Sequence, residues 1–304
     1  MEFFKSNTKI RFMKQRSIAF VFSAIIFLAS IVALAMNGLS LGLDFTGGTQ
    51  VTATFTHTVN VNQLRNNLKA NGFKQAVVQT YTVREVSVRV APHKDLKQKA
   101  LQEKLKTAMP GAKIGQSEYI GPQVGKQLMT NGVLAILVSL IGTMIYIAIR
   151  FDYRFALSAA IALIHDPLLI LGIFSFFHLE FNMIVLTALL TVIGYSLNDT
   201  IVVYDRVREN FRKIRKGTPL EIMDISINQT LSRTIMTSGL TLLVVIALFI
   251  YGGATIHGFS LALMIGIIIG TYSSIYVAGS LAIIFGLDRT SLMPAPKPED
   301  DGRP

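Results

Sequence analysis

Val192-Ile-Gly-Tyr-Ser-Leu-Asn-Asp-Thr-Ile-Val-Val203 carries a carboxylate, Asp199, inside an apolar stretch. With the apolar residues before it, from Met183, the stretch is long enough to cross about 30 Å of hydrocarbon. A charged side chain inside such a helix costs about 3 kcal/mol on insertion scales. Residues of this kind face a bundle interior or a wet cavity, and many carry protons or ions. Polar packing between helices is the plainer use. The stretch therefore marks the chain as a membrane protein and directs the search for function to whatever can pair with Asp199.

Composition agrees. The chain has 304 residues, 51% hydrophobic and 15% charged, where soluble domains average about 25% charged. Mean hydropathy is +0.49. The absence of cysteine excludes a disulfide framework, a thiolate zinc site and a cysteine nucleophile, and leaves the redox compartment unread. A net charge of +11 would suggest nucleic acid for a soluble chain. Here a bias of basic residues toward cytoplasmic loops explains it, and no nucleic-acid partner is expected.

Working outward, six runs can span a bilayer: about Ile18–Met36, Val133–Ile149, Phe155–Phe177, Met183–Val203, Thr234–Tyr251 and Phe259–Phe285. Lys5, Lys9, Arg11, Lys14 and Arg16 precede the first. Arg150 and Arg154 flank one short turn, and Arg206, Arg208, Arg212, Lys213, Arg215, Lys216 and Arg233 fill the loop after the fourth. The connections His178–Asn182 and Gly252–Gly258 have no Lys or Arg. The basic segments should be cytoplasmic, with both termini inside. The first run has the basic start and Ala33-Leu34-Ala35 of a cleavable signal peptide, but at about 19 residues it exceeds the usual apolar core of about 7–15 and is read as an uncleaved helix.

The expected organisation is a basic cytoplasmic N-terminus (1–17), a first span (18–36), a periplasmic domain with its linkers (37–127), a five-span bundle (128–285) including a cytoplasmic amphipathic loop (204–233), and a disordered tail (286–304). In the inserted segment, Val51–Thr56, Ala76–Tyr81, Glu85–Val90 and Lys113–Ile120 read as strands, and Val61–Gly72 and Lys94–Ala108 as helices. The order βαββαβ is the ferredoxin-like pattern, which implies no function by itself. His57 and His93 read as solvated surface residues.

In the loop after the fourth span, Asp205–Lys216 has helical patterning. Thr218-Pro-Leu-Glu221 is a capping box with proline at the first helical position. Leu220, Met223, Ile227 and Leu231 form one stripe on the helix that follows. It could lie on the membrane surface or face a cytoplasmic partner.

Tyr195 and Ser196 lie one turn before Asp199 and could bond its carboxyl; Asn198 and Thr200 add polarity. Arg233 opens the fifth span in Arg233-Thr-Ile-Met-Thr-Ser-Gly239. Fourth and fifth spans meet the cytoplasmic side at Asp199 and Arg233, so an ion pair is plausible. An arginine favours the charged carboxylate and burial disfavours it, so protonation could make and break the pair. A positive-inside anchor at the interface is the other reading of Arg233. Asp166, in Ile164-His-Asp-Pro-Leu168, sits beside a helix-breaking proline and a titratable His165. A relay there is tempting, but sequence neighbours point to different helix faces, and a packing or kink role is as good. Thr237, Ser238 and Thr241 could line a hydrated path or bond their own helix. Gly266-Ile-Ile-Ile-Gly270, continued by Ser274 and Ala278, allows close helix contact, expected within the chain. Gly42-Leu-Asp-Phe-Thr-Gly-Gly-Thr49 reads as a turn into the first strand; no Gly-Lys-Ser/Thr follows, so it is not a phosphate loop.

Three motifs together resemble the SecF family, subunits of the bacterial SecDF protein-export complex: Gly42–Thr49 with Asp44, Gly47 and Gly48; Gly194-Tyr-Ser-Leu-Asn-Asp-Thr-Ile-Val-Val-Tyr-Asp-Arg-Val-Arg-Glu-Asn210, including Asp205, Arg206, Glu209 and Asn210; and Arg233–Gly239. The resemblance covers nearly the whole chain. It implies a polytopic α-helical membrane protein that is half of an RND-type transporter, with six spans and a periplasmic α+β domain between helices 1 and 2. It implies SecD as heterodimer partner, the SecYEG channel, YajC as a further candidate partner, and a preprotein substrate, in the bacterial inner membrane. Such a subunit is no enzyme and needs no cofactor or metal; protons are its coupling ion. The family's essential intramembrane acid falls on Asp199 and its partner arginine on Arg233; Tyr195, Ser196, Asn198, Thr237 and Asp166 stay supporting candidates on their position alone. A small-molecule or lipid exporter of RND type and a passive scaffold for the translocon are the alternatives.

Overall fold

The computed structural model describes residues 8–74, 76–80, 82–91 and 98–288. Its elements run in chain order as α1 (Arg16–Asn37), β1 (Ser40–Leu41), α2 (Leu43–Thr46), β2 (Gly48–Phe55), α3 (Val61–Ala70), β3 (Val77–Thr80), β4 (Glu85–Val90), α4 (Gln98–Ala108), β5 (Ala112–Ile120), α5 (Pro122–Arg150), α6 (Tyr153–Phe176), β6 (Glu180–Phe181), α7 (Met183–Lys213), α8 (Pro219–Tyr251), α9 (Gly253–Ser273) and α10 (Gly279–Ile284). A π-helical turn, Ser274–Ala278, joins the last two. Six helices among the described residues are long and apolar enough to cross a membrane. The chain divides into two compact units, one of residues 39–136 with 180–186, the other comprising the remainder.

The smaller unit holds the βαββαβ pattern. Its antiparallel sheet has the order β3-β4-β2-β5, so each helix crosses over one intervening strand, the split arrangement of the ferredoxin-like fold. Alternation in β2 buries Val51, Ala53 and Phe55 with Val86, Val88 and Val90 of β4. Leu64 and Leu68 of α3 and Leu101 and Leu105 of α4 close this core. Asn60 caps α3 by accepting from the Asn62 and Gln63 N–H groups. His57 is exposed, while His93 and the start of the expected Lys94–Ala108 helix lie outside the described residues.

In the larger unit, helices outrun the sequence expectation. α7 continues to Lys213 and α8 begins at Pro219, so the expected loop 204–233 is two helical extensions joined by a short link. No glycine or proline interrupts 195–213 or 220–238, and the path breaks at Gly217, with φ +130°, and the capping box at Thr218. The Leu220/Met223/Ile227/Leu231 stripe is therefore not spread on a membrane surface. Met223, Ile227 and Leu231 are buried in a core with Val207 and Phe211 of α7, and Leu220 packs against it. Likewise α5 starts at Pro122, well before Val133, and residues expected in the Gly252–Gly258 turn open α9. Of the tail from Gly286, Leu287 is buried in the same core and residues 289–304 lie outside the described set.

Helix contacts are set by small residues. A Cβ on Gly266 would come within 2.2 Å of Val192, and one on Gly270 within 3.0 Å of Ser196. The GxxxG motif thus seats α9 on α7 of the same chain. Gly172 of α6 does the same for α1, its missing Cβ leaving room for Ser30.

Candidate functional site

Asp199 is 2% exposed on α7. Its Oδ2 accepts a long hydrogen bond, 3.3 Å, from Ser238 of α8, and the Asn198 side chain is a second partner. Ser238 in turn receives Tyr195 Oη at 3.3 Å and meets Thr271 Oγ1 of α9 at 2.9 Å. Three helices therefore converge on this carboxyl through neutral hydroxyls. Arg233 is exposed, and no ion pair among the described residues joins it to Asp199 within 4.0 Å, although its charge acts on that carboxyl through space. The reason is helical geometry. Arg233 lies five residues before Ser238, about 7.5 Å along α8 and about 140° around it. Thr237 is also exposed and bonds the carbonyls of Arg233 and Thr234, and Thr241 bonds that of Thr237. Of the hydroxyls weighed on this helix, Ser238 is the one that meets Asp199.

Ser196, one turn before Asp199, serves a different acid. Asp166 is 1% exposed and its Oδ2 accepts from both Ser196 and Ser273 Oγ, the latter at 2.8 Å. Its Oδ1 lies 2.9 Å from Nδ1 of His165. This corrects the expectation that adjacent residues diverge. Their Cα–Cβ vectors point to different faces, but the imidazole is long enough to turn back to the neighbouring carboxylate. His165 Nε2 then meets Ser23 Oγ of α1 at 2.6 Å, and Phe27 stacks on the ring at a centroid distance of 5.7 Å. Ser23, Thr271 and Ser273 carried no sequence signal beyond being hydroxyls in apolar helices.

The remaining motif residues brace helix ends. At Gly42 a Cβ would approach Asn182 Cβ to 2.6 Å, and at Gly48, with φ +127°, it would sit 2.4 Å from Val90 O. These glycines let the Gly42–Thr49 turn pass between β6 and β4. Asp44 Oδ2 accepts the Met183 N–H at 2.8 Å, placing an anion at the N-terminus of α7. Gly47 adopts φ +66°. Beside this turn Glu180 lies 3.8 Å from Arg89, which donates to Leu41 O. Burial pushes the Glu180 carboxyl above its ordinary value, opposed by Arg89 and the Leu43 backbone and reinforced by Asp44. At the far end of α7, Asp205 pairs with Arg150 at 3.3 Å and Arg206 with Glu209 at 2.8 Å. Asn210 donates to Ser226 and Gln229 of α8 at 2.8 and 2.9 Å.

A six-span helical bundle, an inserted ferredoxin-like domain and a carboxylate hydrogen-bonded by neutral groups between the fourth and fifth spans define a membrane protein of the transport type. Residues 100–288 match the family model for the C-terminal part of the protein export membrane proteins SecD and SecF, and residues 32–59 match the SecD/SecF GG motif. Protein translocase subunit SecF of Vibrio alginolyticus is 49% identical, with 98% of this chain and 96% of that one aligned. SecF of Pseudomonas aeruginosa is 42% identical, with 97% and 98% aligned. The crystal structure of SecDF, a translocon-associated membrane protein, from Thermus thermophilus superposes with a TM-score of 0.86 at 37% identity. It covers 92% of this chain, which spans 39% of that longer polypeptide. The chain belongs to the SecF family of protein translocase subunits.

Proposed function

We propose that this chain joins a SecD-type partner to couple proton flow to late steps of preprotein movement through a SecYEG-type channel, with YajC as an accessory partner. The reading places it in the bacterial inner membrane with both termini cytoplasmic, in keeping with the basic residues at 9–16 and 206–216. The observation that carries it is Asp199, buried at 2% exposure in a span and with no cation in contact among the described residues. A single hydroxyl at 3.3 Å and one amide are weak support for an ionised carboxylate in hydrocarbon. Such a group can gain a proton without breaking a strong network. When it does, the attraction between Asp199 and Arg233 across the α7–α8 seam disappears, and the seam can shift. A shift driven this way needs two states that differ in proton affinity. One charge crossing 100 mV supplies about 2.3 kcal/mol. Protons are the only coupling species the reading invokes.

The test is Asp199→Asn in vesicles holding the channel, a SecD-type chain and an imposed proton gradient. The gradient-dependent part of preprotein translocation should vanish while the complex still copurifies. Translocation that responds to the gradient as wild type does would overturn the reading. Gradient-driven export of a dye by the wild-type chain would favour a small-molecule exporter instead.

A further inference from the structure

The His165–Asp166 pair is not used by that cycle, yet it is buried and fully hydrogen-bonded. It draws hydrogen bonds from four helices: Ser23 of α1, the pair itself on α6, Ser196 of α7 and Ser273 of α9. The backbone is interrupted on both sides of it. Pro167 follows Asp166 and removes one ladder hydrogen bond from α6. The π-helical turn Ser274–Ala278 follows Ser273 directly, and such turns occur preferentially at functional sites.

We propose that His165 and Asp166 form a second proton-binding site within the membrane bundle, separate from Asp199, in which the imidazole takes the proton and the carboxylate is the fixed counter-charge.

The geometry supports a reversible exchange because neither state leaves a polar atom unpartnered. With the ring neutral, Nδ1–H donates to Asp166 Oδ1 and the Ser23 hydroxyl donates to Nε2. On protonation at Nε2 that nitrogen becomes the donor, and Ser23 Oγ accepts at the same 2.6 Å. The serine proton can then turn to a carbonyl of its own helix. The ring gains one proton and one positive charge, and the pair goes from net −1 to net 0. Ser196 and Ser273 hold the carboxylate throughout, so the proton count changes at the ring. The other titratable groups on these helices are Arg16 on α1, Tyr153 and Arg154 on α6, Tyr195, Asp199, Tyr204 and the charged run Asp205–Lys213 on α7, His257 and Tyr272 on α9, and Tyr276 in the π turn. None of these forms an ion pair with His165 or Asp166 among the described residues. Tyr272 donates to Ala19 O at 2.6 Å instead. The site is joined to the Asp199 seam through α7, where Ser196 precedes Asp199 by one turn, and through α9, where Thr271 precedes Ser273 by two residues.

This proposal rests on the proton-driven reading for its use but not for its test. Nitrogen NMR of histidine-labelled full chain, in bilayers with its SecD-type partner, would follow the ring across about pH 5–8, the range in which histidine changes charge. His165→Gln assigns the signal among the five histidines. The His165 ring should interconvert reversibly between neutral and doubly protonated forms. Asp166→Asn should weaken proton binding about tenfold or more, as loss of an adjacent counter-charge does. Ser23→Ala should shift it about fivefold, the equivalent of one net hydrogen bond. That variant decides the matter if Asp166→Asn does not fold. In Asp199→Asn the titration should persist, so failure of the export mechanism and failure of this site read out separately. A ring held in one protonation state throughout, or a titration unmoved by both Asp166→Asn and Ser23→Ala, would overturn the proposal.

Discussion

Asp166 and Asp199 are both almost fully buried and meet α7 one turn apart, yet they are held in opposite ways. Asp166 has a histidine and two serines from three helices. Asp199 has one long bond to Ser238 and the amide of its neighbour. Removing one partner of a satisfied buried network strands the others, whereas a sparsely bonded acid can change state with little rearrangement. The contrast teaches that burial alone does not identify a switch. The number and strength of partners separates a carboxylate held as a fixed counter-charge from one that can itself change state.

If this is right, substitutions at the two acids should have crossed effects. Asp199→Asn should remove nearly all gradient-dependent translocation and leave the thermal midpoint of the purified complex close to wild type. Asp166→Ala should instead lower the stability of the bundle by about 2–4 kcal/mol, because His165, Ser196 and Ser273 lose their common acceptor. Denaturant titration in detergent would check it. Equal stability losses for the two variants would break the comparison.

The two faces of α7 can be compared more finely with glycines. Gly266→Ala places a Cβ against the branched Val192 at 2.2 Å and should cost about 1–3 kcal/mol by overpacking. Gly194→Ala meets nothing within 4 Å and should be neutral or stabilise by up to about 1 kcal/mol through helix propensity. Thermal unfolding of both variants measures the difference, and a costly Gly194→Ala would show a tight contact on that face too.

Glu180 of the smaller unit supplies the smallest effect and a different kind of carboxylate. Its proton affinity is raised on folding, chiefly by burial. Its stabilising contribution is therefore full in acid, below the ordinary glutamate value, and is lost as pH rises through the raised value. Glu180→Gln should flatten that decline in the stability of the smaller unit, measured by hydrogen exchange at successive pH values. An unchanged slope would remove Glu180 from the account.

Much of the fold was legible in the chain itself. Alternating β-branched residues and the Asn60 and Thr218 caps act within a few residues, so strands, α3 and the start of α8 could be read locally. Spans were legible as apolar runs, but their ends were not. The helical patterning of Asp205–Lys216 was legible too, but hydropathy did not report that it continues α7 unbroken to Lys213 and packs through Val207 and Phe211 on Met223 and Ile227 of α8. At the candidate site, Asp199 stood out through its charge in an apolar run. Ser238 could not be separated from Thr237, nor Ser196 assigned to Asp166, because several hydroxyls share the same spacing.

By itself, then, the sequence determined six apolar spans, a βαββαβ insertion, and an acid at position 199 in a motif shared with SecF subunits. These follow from hydropathy, short-range backbone chemistry and residue identity. Only the tertiary structure decided that Arg233 stands off from Asp199, that Ser238 meets it, and that His165 and Asp166 gather serines from three other helices. A helical repeat sets which residues share a face, but not how that face is turned toward its neighbours. That rotation is chosen by close packing at Gly266, Gly270 and Gly172, contacts between residues far apart in the chain.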